Sequence, residues 1–284
     1  MANTETKTLY NGEIEITFYP DSHRYRLTGE KSYLTSVTAI TGIIDKSRVL
    51  IPWAVGLAGS YLRQYLEEHQ GEQMTSEELL PVIDEALRQH EIKKEQAADA
   101  GSQVHDIAQQ IGEALRDNKS LEIEALKNLN ARLEELTNKE DKTDEEIKEL
   151  DIITKVSNGV QAFINWVIEH KVKFIECERM VYSRRYGYVG ITDAIIEIDS
   201  KRYLIDYKTA KGVYNEMKYQ AAGYVGAYEE ETGEKLDGTM IIHFNKETGD
   251  FTVHNISEED SLKNQETFIH LVAVKNREKE LSKY

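Results

Sequence analysis

The sequence predicts a mixed α/β (α+β) protein, with a central mixed β-sheet flanked by helices and a helical N-terminal half. Three observations carry this. Helical periodicity dominates from Trp53 to His170. From about residue 172, β-rich runs replace it in KFIECERMVYS, VGITDAIIEID and KRYLIDYKT. Helical and strand-like segments then alternate to the C-terminus.

In chain order, EIEITFY alternates as a strand does, and PDSH after it is a turn signal. TSVTAITGII follows, with Ser36 or Thr38 able to cap a short helix. Val55, Ala58, Leu62 and Leu66 mark a helix from Trp53 to His69, and Ser76 is placed to cap the next. A long helix over 92–116 carries the apolar stripe Ala97, Gly101, Val104, Ala108, Ile111 and Leu115. Residues 120–136 and 144–156 read as a solvated helical hairpin, and 158–170 as an amphipathic helix. After the three β runs come a helix from Tyr214 to Glu230, the strands GTMIIHF and DFTVHNI, and a helix over 258–281. The expectation is a single domain over 1–284. It comprises a β-rich segment (1–50), a helical region (51–170) with an acidic hairpin at about 117–156, a sheet core (171–257) and a C-terminal helix (258–284).

Composition narrows the class. Of 284 residues, 40% are hydrophobic and 30% charged, as in ordinary globular proteins. No apolar run approaches the roughly 18 residues that span a bilayer, so no membrane segment is expected. The N-terminal MANTETKTLY lacks a signal-peptide layout. The single cysteine, Cys177, excludes an internal disulfide, a zinc ribbon or an iron–sulfur cluster built from this chain alone, and points to the cytoplasm. A formal net charge of -16 argues against a nucleic-acid coat protein. The charge is uneven, however: residues 113–151 hold 13 acids and 7 bases, whereas 171–218 hold 10 bases and 7 acids.

The stretch YLIDYKTAK (203–211) reads as a buried strand, yet carries Asp206 and Lys208. Charged side chains are rarely buried unless paired or bound to something. By strand alternation Leu204, Asp206 and Lys208 share one face. Asp193, in the preceding strand, shares a face with Ile191 and Ile195. If the connecting DSKR turn centres between Ser200 and Lys201, Asp193 lies opposite Lys208 and Ile195 opposite Asp206. Opposed residues stand roughly 5 Å apart and diagonal ones roughly 7–8 Å, so Asp193, Asp206 and Lys208 converge on one patch. Two carboxylates suit a hard divalent cation, and a neighbouring lysine can hold a water or stabilise developing negative charge. A structural salt bridge at a sheet end explains the hairpin equally well. Elsewhere, Gln220 and Tyr224 share a helix face beside Met217 and Ala221. His105 lies on the apolar stripe of its helix, where a hydrogen-bonded core histidine is the common case. Glu178 is expected on the same face as Glu176 and Met180, another buried acid near the patch.

The ordered set Gly101-x-x-x-His105, Glu178, Gly190-x-x-Asp193, Asp206-Tyr207-Lys208 and Gln220-x-x-x-Tyr224 resembles the RecB-like branch of the PD-(D/E)XK nuclease superfamily. With HRYRL…YLTSVTAI…W ahead of it, the chain resembles phage-type exonucleases of that branch and the mitochondrial genome-maintenance exonuclease. The likeness extends from about residue 23 to 228. It implies a restriction-endonuclease-like core and a metal-dependent DNA exonuclease, with phage or prophage recombination or repair as its setting. A structure-specific endonuclease of the same fold, or a DNA-binding or interaction module that no longer cuts, are the alternatives. Carried over residue by residue, His105, Asp193, Asp206 and the Tyr207 backbone carbonyl would bind Mg²⁺ or Mn²⁺. Lys208 would position the attacking water, and Glu178 would help a second metal or the water. Gln220 and Tyr224 would support the site and contact DNA. Apart from the resemblance, the basic residues Arg184, Arg185 and Lys211, besides Lys173, Arg179 and Lys218, are candidates to track the backbone, a solvated surface charge being the alternative for each. DNA is the implied partner, together with a single-strand annealing protein and a homo-oligomeric assembly, in the cytoplasm of a bacterial host. Asp206 departs from the glutamate that many relatives carry before the lysine, and the acidic hairpin has no clear counterpart.

Overall fold

Short alternating runs at the N-terminus pair first. The structure, a computed structural model, describes residues 4–282. In it β1 (Glu5–Leu9), β2 (Ile14–Tyr19) and β3 (Arg24–Leu27) form an antiparallel three-stranded sheet. β1 lies ahead of the first strand expected from the alternation. Leu9, Ile16, Phe18 and Tyr25 are buried from this sheet and pack against Met180, Tyr182 and Val189.

β4 (Thr35–Ser36) leads into the short helix α1 (Val37–Thr41). Ser36 is the cap: its hydroxyl accepts from the Ala39 N–H at 3.1 Å. α2 (Ser47–Glu68) and α3 (Ser76–Arg116) follow. The two helices expected over residues 76–116 are one helix of 41 residues. Its cap is Thr75 rather than Ser76, with Thr75 Oγ1 accepting from Glu78 N and the Glu78 carboxylate accepting from Thr75 N. No glycine or proline stands between Pro81 and Gly101 to end it.

α4 (Glu124–Asn138) and α5 (Asp144–Glu169) form the acidic hairpin, and α5 also absorbs the amphipathic helix expected over 158–170. A capping box at Thr143 and Glu146 starts α5. Arg132 reaches across with a two-pronged contact to Glu149 at 2.8 and 2.7 Å. The hairpin is solvated only outside, because Leu129, Leu136, Ile153 and Val156 are buried.

The second sheet holds β4, β5 (Lys173–Ser183), β6 (Tyr188–Ile198), β7 (Lys201–Lys208), β8 (Gly238–Phe244) and β9 (Phe251–Ile256). β7 and β8 run parallel, joined through α6 (Asn215–Thr232); the other long pairings are antiparallel. The sheet is therefore mixed, as expected. α6 and α7 (Glu258–Leu281) cover one face, where Ile195, Leu204, Tyr224, Tyr228 and Phe268 share a core. On α5's side, Phe163 and Trp166 pack around Tyr207 and Phe244. Two compact units are distinguished, Ile44–Ser102 and the rest of the chain. The second contains both sheets and every candidate site residue.

Candidate active site

A break in the sheet positions the site. β5 pairs along β6 from Tyr188 to Glu197 and so occupies one edge of it. β4 and β7 must share the other edge. There β4 pairs only with Tyr188 and Val189, and β7 only from Ala194 onward. Gly190–Asp193 thus have no ladder partner on that side. Side chains replace the missing bonds: Thr192 Oγ1 donates to the Ile205 carbonyl at 3.0 Å, and the Tyr207 N–H donates to Asp193 Oδ2 at 2.5 Å. The two strands splay where their acids meet.

The register differs from the expected one. Ile195 pairs with Leu204, not Asp206, and the ladder does not place Asp193 opposite Lys208. The turn residues are Asp199 and Ser200, both left-handed at φ 50° and 63°, flanked by the pair Ile198 and Lys201. That is the two-residue geometry that matches strand twist. The displacement is by two residues, which by itself preserves the faces, although Ile191 packs against the N-terminal sheet and Ile195 against α6 and α7. Glu178 is also corrected. It has φ 47°, a left-handed conformation rare for glutamate, and it interrupts the β5–β6 pairing opposite Asp193. Alternation breaks there: Glu176 turns away to Arg179 at 3.0 Å, whereas Glu178, like Met180, faces the N-terminal sheet, lining with Phe18 and Tyr25 a cleft of about 310 Å³.

That cleft brings together His105, Glu178, Asp193, Asp206, Lys208, Gln220 and Tyr224. His105 Nδ1 stands 3.2 Å from Asp193 Oδ1, and its ring lies edge-on to Tyr207. Lys208 Nζ is 2.5 Å from Asp206 Oδ2. Asp206 is buried, yet this oxygen has no aligned hydrogen bond. Gln220 Nε2 donates to the Tyr224 hydroxyl oxygen at 2.8 Å, leaving the phenol proton free to donate. Burial keeps that phenol well above its ordinary pKa.

The acids are differently tuned. Burial, with Asp193 adding to it, pushes the Glu178 carboxyl up to about 8. Burial also raises Asp206 to about 6, against the pull of Lys208. Asp193 is held below its usual range: burial opposes its charge, but His105, Lys208 and the Tyr207 N–H outweigh that. Burial lowers His105, and Asp193 more than offsets it, leaving the imidazole above its usual value.

A family model for the PD-(D/E)XK nuclease superfamily matches residues 64–279, well over half of the chain. The chain belongs to the PD-(D/E)XK nuclease superfamily. No curated protein matches it significantly. Among solved structures, the crystal structure of SSO0001 aligns at 17% identity over 52% of this chain and 83% of that one, with a TM-score of 0.28. That overlap is too low to add to the fold assignment.

The remaining expected residues of the nuclease lie elsewhere. Arg184 and Arg185 are in the β5–β6 turn, outside the cleft. Arg184 covers the Tyr10 ring and pairs with Glu13 at 2.6 Å, and Arg185 lines a separate cavity beside Tyr186. Lys211 is exposed in the loop after β7. Lys173 pairs with Glu197 at 3.2 Å. Arg179 is turned inward to Glu231 at 2.8 Å. Lys218 is half-buried on α6.

Sequence reasoning missed the wall opposite the acids, formed by Phe18, His23 and Tyr25 of the N-terminal sheet with Ser36 and Thr38. The alternation of β2 marks Phe18 as inward, but nothing local says what it faces. Gly190 is required by close approach. A Cβ there would stand 2.5 Å from Tyr224 Cε1 and 3.1 Å from Val37 Cγ2. Gly190→Ala is therefore expected to cost about 1–3 kcal/mol by overpacking. Urea unfolding measures this, and an unchanged midpoint would show that Tyr224 moves aside freely. None of the described helices is long and apolar enough to cross a membrane.

Proposed function

We propose that the chain is a DNA exonuclease that hydrolyses phosphodiester bonds with Mg²⁺ or Mn²⁺ and acts in phage or prophage recombination or repair. The observation that carries this reading is the convergence of Asp193, Asp206 and Lys208 where β6 and β7 part. Among the described residues, no three His, Cys, Asp or Glu side chains are gathered as a ready-made metal cluster. The donor set nevertheless fits a hard cation. Asp193 and Asp206 bring two carboxylates to one cleft, and the single ammonium of Lys208, 2.5 Å from Asp206 Oδ2, answers only one of the two charges.

The residues that would hold the ion are Asp193, Asp206, the Tyr207 backbone carbonyl and His105. When bound, a divalent ion polarises the phosphoryl oxygen and stabilises charge in the in-line displacement. Lys208 holds the attacking water and steadies negative charge as it develops at phosphorus. Glu178 faces the same space and serves the water or a second cation. Gln220 fixes the Tyr224 hydroxyl, which is aimed at the bound strand. Attack by water with departure of the 3′ oxygen leaves a 5′-phosphate, as the family resemblance implies. The same resemblance supports a single-strand annealing protein as a working partner.

The test is incubation with linear and circular DNA, each single- and double-stranded, in Mg²⁺, Mn²⁺ or EDTA. Metal-dependent loss of the linear forms alone is expected. Cutting of circles would replace the exonuclease reading by an endonuclease of the same fold. Cleavage undiminished in EDTA would overturn the metal assignment.

A further inference from the structure

The outer face of the N-terminal sheet carries a side-chain set that the cleft does not use. Phe18 pairs with Tyr25, and both are buried on the inner face. Their neighbours alternate outward, so the pair Tyr19–Arg24 and the pair Thr17–Arg26 lie on the outer face. Tyr33, beyond β3, is 39% exposed and stands edge-on to Tyr19 at 5.9 Å. The Arg24 guanidinium lies 5.0 Å from the centre of the Tyr33 ring, and that of Arg26 lies 5.2 Å from the Tyr19 ring. Arg26 also donates to the Tyr19 hydroxyl. Among the described residues, neither arginine is ion-paired with a carboxylate.

Two guanidiniums without carboxylate partners outnumber the one acid that alternation puts on this face, Glu15, a local reversal of sign on a chain of formal net charge -16. Planar cations interleaved with phenol rings on an antiparallel sheet match what unpaired nucleotides offer, namely phosphates for the cations and base faces for the rings. A duplex offers the phosphates but keeps its base faces stacked inside. The face approaches the cleft at the β2–β3 turn. His23, in the turn joining β2 and β3, lines the cleft, and Tyr19–Arg24 is the pair nearest that turn. A strand leaving the acids past His23 would round this turn to reach Arg24, Tyr33 and Tyr19 on the outer face.

We propose that this face is a binding platform for single-stranded DNA, holding nucleotides adjacent to the cleft and directing the enzyme to single-stranded or frayed ends. The proposal rests on the nuclease reading for its biological sense, but its test does not. Binding is measured by fluorescence anisotropy with labelled oligothymidylate in an Asp206→Asn background. Arg24→Ala with Tyr33→Ala alters only exposed side chains and leaves the inner face of the sheet intact. Affinity is expected to fall ~10-fold or more, and the slope of log affinity against log salt to shrink by about 0.7 for the lost arginine. A bromodeoxyuridine-substituted strand is expected to crosslink to Tyr33 or Tyr19 on irradiation.

Unchanged affinity in the double variant would overturn the platform, as would crosslinks confined to other residues. Equal competition by a duplex of the same length would overturn it too, reducing the face to a phosphate patch. No binding by the Asp206→Asn protein would do the same. Failure of the nuclease reading looks different: the wild-type protein leaves every DNA uncut while the crosslink at the tyrosines persists.

Discussion

Asp206→Asn is expected to lose cleavage by about 10³-fold or more while melting, in EDTA, within a few degrees of the wild-type protein. The activity loss follows from removing a negative oxygen where the strands part, since an amide can neither answer a dication nor balance Lys208. The small change in stability follows from two opposing terms. Asp206 is buried, without an aligned hydrogen bond, and burial first of all raises its carboxyl to about 6, with Lys208 pulling down and Asp193 pushing up. A folded-state pKa above the ordinary value of 3.8 means that the charged form costs stability. That cost is fully present above about pH 6 and fades as the pH falls towards 3.8. Asparagine removes it. In exchange, Lys208 loses its acid, but with 15% of its side chain exposed it keeps some contact with water. Cleavage of labelled linear DNA and thermal melting of the same preparation decide the matter. A large drop in melting temperature with activity retained would make Asp206–Lys208 a structural ion pair, the reading that the hairpin sequence alone leaves open.

This is also where sequence reading reached furthest. The pleat assigns Asp193, Asp206 and Lys208 to faces, and a turn misplaced by two residues preserves those faces. The convergence therefore survived a wrong register. What changed is who stands beside whom: the ladder ends at Ala194–Ile205, and Asp193 bonds to the β7 backbone instead of pairing with Lys208. The helix spacing of Gln220 and Tyr224 was legible for the same reason, since their contact follows from i, i+4 geometry alone.

Other features lie beyond any local pattern. The left-handed backbone at Glu178 breaks the alternation from which its face was read. The gap between β4 and β7 depends on a two-residue strand some 150 positions away from its partner, pairing Thr35 with Tyr188. The arginines show the limit of charge counting. Arg179 and Arg184 add to the basic balance of their segment, yet each is paired with a glutamate from a distant element. Arg24 and Arg26 belong to a segment of no basic excess, and only the sheet reveals that they share a face.

Asp193→Ala is the opposite case to Asp206→Asn, and is expected to abolish cleavage and to destabilise the fold by about 2–4 kcal/mol. Asp193 Oδ2 accepts from the Tyr207 N–H at 2.5 Å, standing in for the ladder carbonyl missing at this point in the sheet. Oδ1 faces His105 at 3.2 Å. Alanine leaves a backbone donor unsatisfied in the buried strand and removes the partner of the imidazole. The charge itself also favours the folded state. Burial opposes it, but His105, Lys208 and the Tyr207 N–H prevail and hold the carboxyl below its ordinary value of 3.8. The stability that it contributes is therefore present above that value and is lost as the pH falls through the lower folded-state value. Asp193→Asn separates the two roles, because an amide oxygen can still accept from Tyr207. It is expected to recover most of the stability and none of the activity. Urea unfolding of the alanine, asparagine and wild-type proteins at neutral pH should rank them in that ascending order. Equal stability of all three would mean that the strands do not depend on a side chain where they part. The expected order would mean that one side chain serves both tasks, its oxygen closing the sheet at the Tyr207 N–H and its charge serving the site.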